Sequence, residues 1–424
     1  MPLLFTWLIS ENVVPKSIPT IIVMTIGLQA DFAQSKQIPI ERLTNNRVQQ
    51  DSAIEILKYV NIRSCFAVMD ANASLPSAPR GRGVGENPVS RFDAVYFEPD
   101  PEERVRSGET RVATQVIDDH ARSVISHNTS PDVGFDYSLN PYRGCEHGCA
   151  YCYARPTHEY LGFSAGLDFE TKIMVKREAP RILAETLSRR SWKPQVLAMS
   201  GVTDPYQPME RALGITRACL DVLGQFRNPV SLITKNGGIA RDIDRLAEMA
   251  QWNGVHVTVS ITTLDADLAR KMEPRTASPR QRLEVVRMLS GAGIPVGVLQ
   301  APVIPGLTDT EMPAIIEAAA EAGARSVGYV LLRLPGPVEG IFVNWLSRHY
   351  PGKKERVLER LRSLRDGHLN SSRFGERMRG KGHWQENLKT LHRLGYRRAG
   401  LDPQPLVLNT QSFRRPGPSQ LELF

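Results

Sequence analysis

Between residues 130 and 335, apolar runs alternate with amphipathic stretches, and this alternation is the strongest constraint on the fold. The stretches between the runs have helical periodicity, and several end at a glycine, as the position after a helix prefers. Near-continuous apolar strands that alternate with helices are typical of a parallel sheet covered by helices. With one more strand before residue 140, the sequence predicts six β/α units in a partial (β/α)6 barrel. The apolar runs are "QVLAMSG" (195–201), "VSLITKN" (230–236), "VHVTVSIT" (255–262), "PVGVLQAPVIPG" (295–306) and "SVGYVLLRLP" (326–335).

Polar residues stand at or near the predicted ends of five of these strands. Any one of them is more often a turn or cap residue than a functional one. Because a β/α barrel gathers its site at the carboxyl ends of its strands, their repeated position favours a site there. These residues are Ser200, Thr203, Asp204, Lys235, Ser260, Thr262, Gln300 and Arg333.

Three of the five cysteines lie within eight residues, in "NPYRGCEHGCAYCYAR" (140–155). Cys145, Cys149 and Cys152 have the spacing C-x3-C-x2-C. Five unevenly placed cysteines do not suit a secreted disulfide framework. A tight cluster in a cysteine-poor chain indicates metal binding or catalysis in a reducing compartment, so we expect a cytoplasmic protein.

The three thiolates are compatible with two kinds of metal centre. A closed zinc site takes four ligands, and His147 or His158 could supply the fourth. A 4Fe–4S cluster normally takes four cysteines, so three would leave one iron with an open position. An open iron suits an enzyme, because a substrate or a cofactor can bind it directly.

The cysteine spacing, with an aromatic residue before the last cysteine (Tyr151–Cys152), resembles the radical SAM superfamily. The resemblance implies a barrel of the radical SAM type, a 4Fe–4S cluster on the three cysteines and S-adenosylmethionine on the open iron. In that superfamily the reduced cluster cleaves S-adenosylmethionine to a 5′-deoxyadenosyl radical, which abstracts hydrogen from the substrate. A reductase or a flavodoxin-like protein is then expected as electron donor.

The wider phrase "SLNPYRGCEHGCAYCYAR" is similar to the spore photoproduct lyase-like branch, which is related to DNA repair photolyases. The resemblance covers roughly residues 80–400. The stretches "RPTHEYLG", "SGVTDPYQPME", "MEPRTASPRQRL" and "APVIPGLTD" resemble one subgroup of this branch. The resemblance to this branch implies a nucleic-acid substrate and lyase-like chemistry.

The resemblance also implies the cofactor contacts. Tyr151 would lie near the cofactor, Lys235 would meet the methionine carboxylate, and Ser260 would bond the amino-acid part or the ribose. The backbone at Pro305 and Gly306 resembles the segment that contacts adenine. Further candidates for polar contacts to cofactor or substrate are Ser200, Thr203, Asp204 and Glu210.

One stretch departs from the lyase. Spore photoproduct lyase uses a cysteine after the second strand to return a hydrogen atom to its product radical. Here that stretch is "MSGVTDPYQPME", which contains no cysteine. Tyr153 is the catalytic candidate for hydrogen donation in its place. Thymine-dimer reversal itself is therefore not carried over with the resemblance, whereas cluster binding and S-adenosylmethionine cleavage are.

Positive charge is concentrated towards the C-terminus. Residues 341–400 hold 15 Lys and Arg against 5 Asp and Glu, a balance of +10 in a chain of net charge +8. Such a segment can line a phosphate backbone, or it can be a solvated helix face with i,i+4 ion pairs. We favour nucleic acid, with a damaged or modified base in DNA as substrate. The alternatives are a radical SAM enzyme acting on RNA or a peptide, and a non-enzymatic DNA-bound iron–sulfur or zinc protein.

The chain is expected to have five parts. Residues 1–68 form an N-terminal extension that we expect to be untranslated, with Met69 as the start. Residues 69–129 form a flexible arm with a small basic spot at Arg80 and Arg82. The barrel spans 130–335, a basic helical region spans 336–400, and a flexible tail spans 401–424.

Cys219 is expected to be a buried thiol. No apolar run is long enough to span a membrane.

The last five residues, "QLELF", resemble the peptide that binds the bacterial sliding clamp. By this resemblance Gln420, Leu421, Leu423 and Phe424 would dock in an apolar pocket on the clamp. The alternative is that the tail folds onto its own domain. A sliding clamp is therefore an expected partner, and it points to DNA rather than RNA.

Overall fold

Six parallel strands, taken in chain order, form the main sheet of the protein. The structure is a computed structural model that describes residues 78–92, 112–402 and 407–416. Ten strands, which belong to two sheets, occur in these residues: β1 (Gln115–Asp118), β2 (Ile125–His127), β3 (Tyr137–Leu139), β4 (Tyr142–Arg143), β5 (Lys172–Val175), β6 (Leu197–Met199), β7 (Val230–Thr234), β8 (Val255–Ser260), β9 (Val296–Val303) and β10 (Ser326–Leu331). The order β3-β6-β7-β8-β9-β10 is parallel throughout.

The sheet is open, so the barrel is partial. Within the described chain it runs from β10 at one edge to β2 at the other, and β2 is antiparallel to β3. A second, three-stranded sheet has the order β1-β5-β4. The predicted six β/α units are confirmed, and the strand predicted before the cysteines is β3.

Helices lie between and after the strands. Ser278 and Gln281 form a capping box at the start of α7 (Pro279–Gly291), and Gly293 takes a left-handed conformation (φ 77°) just after its end. The glycine is the stop signal that the sequence suggested, whereas the capping box was not predicted. The helices are α1 (Leu167–Thr171), α2 (Ala179–Ser188), α3 (Glu210–Leu213), α4 (Ile215–Phe226), α5 (Ile243–Ala250), α6 (Ala266–Met272), α7 (Pro279–Gly291), α8 (Met312–Glu321), α9 (Val338–His349), α10 (Pro351–Ser363) and α11 (His383–Ala399).

The main core lies between the sheet and these helices. Alternate residues of β7 and β8 are buried, as a sheet packed against helices requires. Cys219 on α4 has no exposed surface and belongs to this core, which confirms its prediction as a buried thiol. Trp345 on α9 is also buried, and its indole N–H donates to the Lys271 carbonyl at 2.9 Å.

The described part of the expected flexible arm is packed rather than free. Arg82 is buried, and its guanidinium donates to the carbonyls of Glu170 and Val112, each at 2.7 Å. Asn87 exchanges hydrogen bonds with Asp168. Arg82 is therefore not part of a basic surface spot. Its carbonyl partners hold it in the interior, and residues 115–118 and 125–127 of the same segment are strands.

The described part of the C-terminal tail also packs on the sheet. The Asn409 N–H donates to Asn253 O, and the Arg414 N–H donates to Phe226 O, both at 2.9 Å. The Phe413 ring lies 6.3 Å from that of Phe226. This differs from the flexible tail expected over 401–424. The expectations for Met69 and for residues 420–424 lie outside the described residues.

The membrane expectation was tested on the same residues. Among the helices that the structure describes, none is long and apolar enough to cross a membrane.

Candidate active site

The cysteine loop follows β3 at the carboxyl edge of the sheet. Cys145 and Cys149 are buried, Cys152 is partly buried, and all three thiols are free. Cys152 packs in one cluster with Cys145 and in another with Cys149. The Cys145 N–H donates to Phe169 O at 2.9 Å, which fixes the start of the loop. The fold thus brings the three sulfurs into one buried neighbourhood.

The surroundings of these thiols suit a cationic partner. Burial, then the Asp204 carboxylate and the neighbouring sulfurs, raise the pKa of Cys145. Burial and Glu273 likewise raise the pKa of Cys149. A thiolate is unfavourable here unless a metal centre balances its charge, and a coordinating thiol is deprotonated by the metal. Three free thiols on one loop, two of them buried and one partly buried, are a donor set that fits an iron–sulfur cluster.

The two histidines suggested as zinc ligands are engaged elsewhere. His147 Nδ1 lies 3.4 Å from Asp204, and its Nε2 lies 3.1 Å from the Asn236 amide. His158 Nε2 lies 2.9 Å from Lys172 O. In the described ranges, no group of three or more His, Cys, Asp or Glu side chains is gathered to hold a single metal ion.

A buried ion pair between Arg155 and Glu170 holds the backbone of the cysteine loop. Arg155 donates to Cys149 O from Nε at 3.0 Å and from Nη2 at 2.8 Å. The same Nη2 lies 2.5 Å from Glu170, and neither side chain is exposed. Glu170 also accepts the Gly83 N–H at 3.0 Å. This pair was not predicted from the sequence, although Arg155 is the first residue of the quoted stretch "RPTHEYLG".

Lys235 joins the carboxyl ends of three neighbouring strands. Its ammonium donates to Ser260 Oγ at 2.7 Å and to Ala301 O at 2.8 Å, and lies 3.2 Å from Thr262 Oγ1. It also lies 3.2 Å from Glu273. Three of the polar residues at these strand ends, Lys235, Ser260 and Thr262, thus contact one another, and the cofactor roles of Lys235 and Ser260 stay predictions.

Glu273 is the centre of this network. It has no exposed surface and accepts hydrogen bonds from Tyr151, Thr262 and Arg282. Burial alone would raise its pKa, but the charges of Arg282 and Lys235 hold that pKa well below its usual range. One carboxylate thus faces two cations. The excess positive charge beside Tyr151 fits a cofactor that carries a carboxylate.

Sequence reasoning overlooked Glu273 and Arg282. Both lie in "MEPRTASPRQRL", which was quoted only for its family resemblance. Their charge on either side of a predicted helix start was the available signal.

Asp204 links the second parallel strand to the cysteine loop. It accepts the Thr234 hydroxyl at 2.7 Å and the Lys235 N–H at 2.8 Å, and it faces His147. Thr203 Oγ1 donates to Gly144 O at 2.6 Å. Although burial opposes it, His147 and these hydrogen bonds lower the pKa of Asp204. Asp204 and Thr203 therefore shape the loop.

Four other candidates make local contacts. Ser200 donates to Thr203 O at 2.9 Å, and the Gly306 N–H donates to Asp309 at 2.9 Å. Pro305 is buried beside Gly306. Glu210 accepts the Tyr142 hydroxyl and pairs with Arg241 at 2.7 Å. None of these contacts joins the Lys235 network, so the cofactor roles of Ser200, Pro305 and Gly306 remain predictions.

Tyr153 lies at the open side of the loop. About half of its surface (51%) is exposed, although Cys152 precedes it directly. Its hydroxyl donates to Gly201 O at 2.5 Å, after the second parallel strand. The Arg333 guanidinium carbon is 5.7 Å from its ring centroid. Tyr153 thus connects the cysteine loop with the second and the last strands.

Chemistry in a β/α barrel takes place at the carboxyl edge, and here that edge carries the three thiols and the Lys235–Glu273 network. The fold and the site define a β/α-barrel protein with a three-cysteine loop at its carboxyl edge. The model of the radical SAM superfamily matches residues 139–319. An uncharacterised protein of Mycobacterium tuberculosis (strain ATCC 25618 / H37Rv) is 38% identical over 227 residues, which are 53% of this chain and 67% of that protein.

A second relative is an uncharacterised protein of Methanocaldococcus jannaschii, 27% identical over 197 residues, which are 46% of this chain and 71% of that protein. The chain belongs to the radical SAM superfamily, and it is a radical SAM enzyme. The superfamily implies a 4Fe–4S cluster and S-adenosylmethionine. The non-enzymatic alternative is thereby set aside.

Solved structures of spore photoproduct lyase share the fold. A cysteine-to-serine mutant has a TM-score of 0.52 at 15% identity and covers 73% of this chain and 85% of its own. A tyrosine-to-phenylalanine mutant has a TM-score of 0.50 at 15% identity, covering 67% of this chain and 79% of its own. At this identity the likeness shows the fold alone.

Proposed function

We propose that this radical SAM enzyme acts on a damaged or modified base in DNA. The observation that carries the proposal is the half-exposed Tyr153 ring beside the partly buried Cys152. An exposed aromatic ring is a platform on which a base can stack, and every base offers a face for it. The neighbouring Arg333 adds the positive charge that a nucleic acid needs.

Two sets of residues would hold the cofactors in this proposal. Cys145, Cys149 and Cys152 would hold a 4Fe–4S cluster, while Lys235 would bind the carboxylate of S-adenosylmethionine beside Tyr151. When bound there, the two cofactors would supply reductive cleavage of a carbon–sulfur bond and radical chemistry that removes hydrogen from the substrate. Ser260 orients Lys235 through its 2.7 Å hydrogen bond. Asp204 fixes the backbone of the same lysine.

Tyr153 is our proposed hydrogen-atom donor to the substrate radical. Its O–H bond would break as a C–H bond forms on the substrate, leaving a tyrosyl radical. An electron and a proton must then restore the phenol, and a reductase or flavodoxin-like protein would supply the electron. The position of the hydroxyl supports this role, because it lies at Gly201, after the second strand, in a stretch without a cysteine.

The C-terminal segment supports a polyanionic substrate. Residues 341–400 carry an excess of ten positive charges, and they include α9, α10 and α11, which follow the last strand. Several of these cations have no acidic neighbour on their own helix turn. A phosphate backbone would balance such a surface.

We also propose that residues 420–424 bind a sliding clamp. The support is the sequence "QLELF" alone. A labelled peptide of residues 411–424 should bind the bacterial clamp, and the same peptide with Phe424→Ala should bind more weakly, since an apolar anchor is lost. Equal binding by the two peptides would discredit this partner.

The test of the main proposal uses anaerobically reconstituted full-length protein. Electron paramagnetic resonance of the reduced protein, with and without S-adenosylmethionine, checks cofactor binding first. Formation of 5′-deoxyadenosine is then measured with ultraviolet-irradiated DNA, undamaged DNA, RNA and peptide. We expect damaged DNA to stimulate the formation of 5′-deoxyadenosine most. Deuterium placed on that DNA should be transferred to the 5′-deoxyadenosine. Stimulation by RNA or peptide alone would favour the alternative substrates.

A further inference from the structure

Three arginines lie near one another after β10, and we call them the arginine cluster: Arg333, Arg365 and Arg377. Arg333 is the member beside the Tyr153 ring. Arg365 donates to the Leu332 carbonyl, and Arg333 Nη1 lies 3.8 Å from the sulfur of Met378, which follows Arg377. Arg333 follows β10, Arg365 follows α10, and Arg377 lies in the loop between α10 and α11. The positive charge of Arg333 is close enough to those of Arg377 and Arg365 for them to repel one another. The cluster is therefore a local concentration of positive charge at the carboxyl edge of the sheet.

Only one member of the cluster has an acidic partner. Arg377 pairs with Asp132, which also accepts the Gly375 N–H at 2.6 Å. Arg365 is 4% exposed and donates to the carbonyls of Leu369 (2.5 Å) and Leu332. Within residues 78–92, 112–402 and 407–416, neither Arg333 nor Arg365 forms an ion pair, and the Nε atoms of both are buried without an acceptor.

The protein balances the charges of the cluster only in part, because one carboxylate, Asp132, pairs with Arg377 and acts on Arg333 from a greater distance. Burial, and then Arg377, lower the pKa of Arg333. Burial, and then Arg333, lower the pKa of Arg365 to about 10. A buried cation without a counter-ion is unfavourable, and an anion at the guanidinium edge removes this cost. Arg333 is the member best placed for such an anion, because it is less buried than Arg365 and lacks the acidic partner of Arg377.

The position of Arg333 identifies the anion. Its guanidinium carbon is 5.7 Å from the Tyr153 ring centroid, so a group bound to it lies beside any base on that ring. A guanidinium fork matches two oxygens of a phosphate. We propose that Arg333 binds the backbone phosphodiester next to the nucleotide that stacks on Tyr153. Arg365 acts as a positioning residue, because it holds the Leu332 carbonyl just before Arg333. This inference rests on the proposed function.

The experiment measures binding of fluorescently labelled single-stranded and duplex DNA to the full-length holoenzyme across a range of salt concentrations. Removal of one phosphate contact should lower the slope of log K against log salt by about 0.7 to 0.9. Arg333→Gln should show this change and a loss of affinity of roughly tenfold. Arg333→Lys should recover most of the slope, since it keeps the charge. Thermal unfolding checks that each variant is folded.

The matched control is Arg287→Gln. Arg287 is exposed on α7 and pairs with Glu284 on the same helix, so its replacement should leave slope and affinity unchanged. Inorganic phosphate, added at constant ionic strength, separates a free-phosphate site from a backbone contact. We expect inorganic phosphate to compete weakly with DNA for the wild-type protein and not at all for Arg333→Gln.

Two failures of this experiment are distinguishable. If the wild-type protein binds neither form of DNA, the proposed function itself fails. If the wild type binds DNA but Arg333→Gln behaves like Arg287→Gln, the phosphodiester contact is overturned and the proposed function stands. Tight binding of inorganic phosphate by the wild type, with DNA affinity unchanged in Arg333→Gln, also overturns the contact.

Discussion

The ammonium of Lys235 lies 3.2 Å from the carboxylate of Glu273, a side chain with no exposed surface. Glu273 is shared with Arg282, which is also buried. Lys235 is therefore held in place before any ligand arrives, but its charge is only partly neutralised. Such an arrangement is preorganised for a second carboxylate and costs little reorganisation on binding.

Replacement of Lys235 by methionine should weaken binding of S-adenosylmethionine by about 10- to 100-fold, because a charge-assisted hydrogen bond contributes about 1.5–3 kcal/mol. Anaerobic equilibrium dialysis with the cluster-loaded protein measures this directly. Lys193→Met, at an exposed position before β6, is the control and should bind normally. Unchanged affinity in Lys235→Met would place the carboxylate elsewhere.

Alanine at Cys145, Cys149 or Cys152 should remove a cluster ligand, so that reconstituted protein retains roughly a tenth or less of the wild-type iron. Iron and sulfide assays, with the visible absorbance, report the loss. Cys219→Ala is the matched control, since that thiol is buried in the main core and away from the loop. Full iron content in any of the three loop variants would contradict the assigned ligand set.

Glu170→Ala should destabilise the fold by about 3–5 kcal/mol, because it leaves the buried Arg155 without its counter-charge. Urea unfolding gives the free energy. Glu185→Ala removes an acid from an exposed pair with Arg181 and should cost at most about 1 kcal/mol. A similar small loss in both variants would show that the Arg155–Glu170 pair does not secure the cysteine loop.

His256 on β8 should contribute a pH-dependent loss of stability. Burial, and then Arg325, lower its pKa to about 4, whereas in the unfolded chain it titrates near 6.5. The unfolded state therefore takes up the proton first as the pH falls. The contribution of His256 to stability is complete above about pH 6.5 and is lost progressively towards pH 4.

His256→Gln removes this titration. The variant should lose less stability than the wild type between pH 7.5 and pH 5, as urea unfolding at each pH would show. Parallel pH profiles for the two proteins would mean that His256 is protonated in the folded state as easily as in the unfolded chain.

Local patterns in the sequence were sufficient for the barrel and for the cysteine loop. Near-continuous apolar runs specify buried parallel strands, and the close spacing of Cys145, Cys149 and Cys152 is itself a property of the sequence. Lys235 and Ser260 were found because both stand at the ends of such runs. Their contact follows from the parallel order of adjacent strands.

Buried polar contacts between residues far apart in the sequence were not accessible in the same way. Tyr151 and Glu273 are 122 residues apart, and Arg82 lies 88 residues before Glu170. In the sequence Arg82 has the pattern of an exposed charge in a Pro- and Gly-rich segment. Only the fold supplies the carbonyls that satisfy its guanidinium, so its burial could not be inferred from its neighbours.

The segment 407–416 crosses the amino-terminal edge of the sheet. Its contacts Asn253 and Phe226 lie just before β8 and β7, whereas the cysteine loop and Tyr153 occupy the opposite edge. Pro416 ends the described segment at this amino-terminal edge, since Arg415 donates to the carbonyls of Arg189 and Trp192, which precede β6. A partner bound to the chain directly after Pro416, as we propose for the sliding clamp, would leave the carboxyl edge open to substrate.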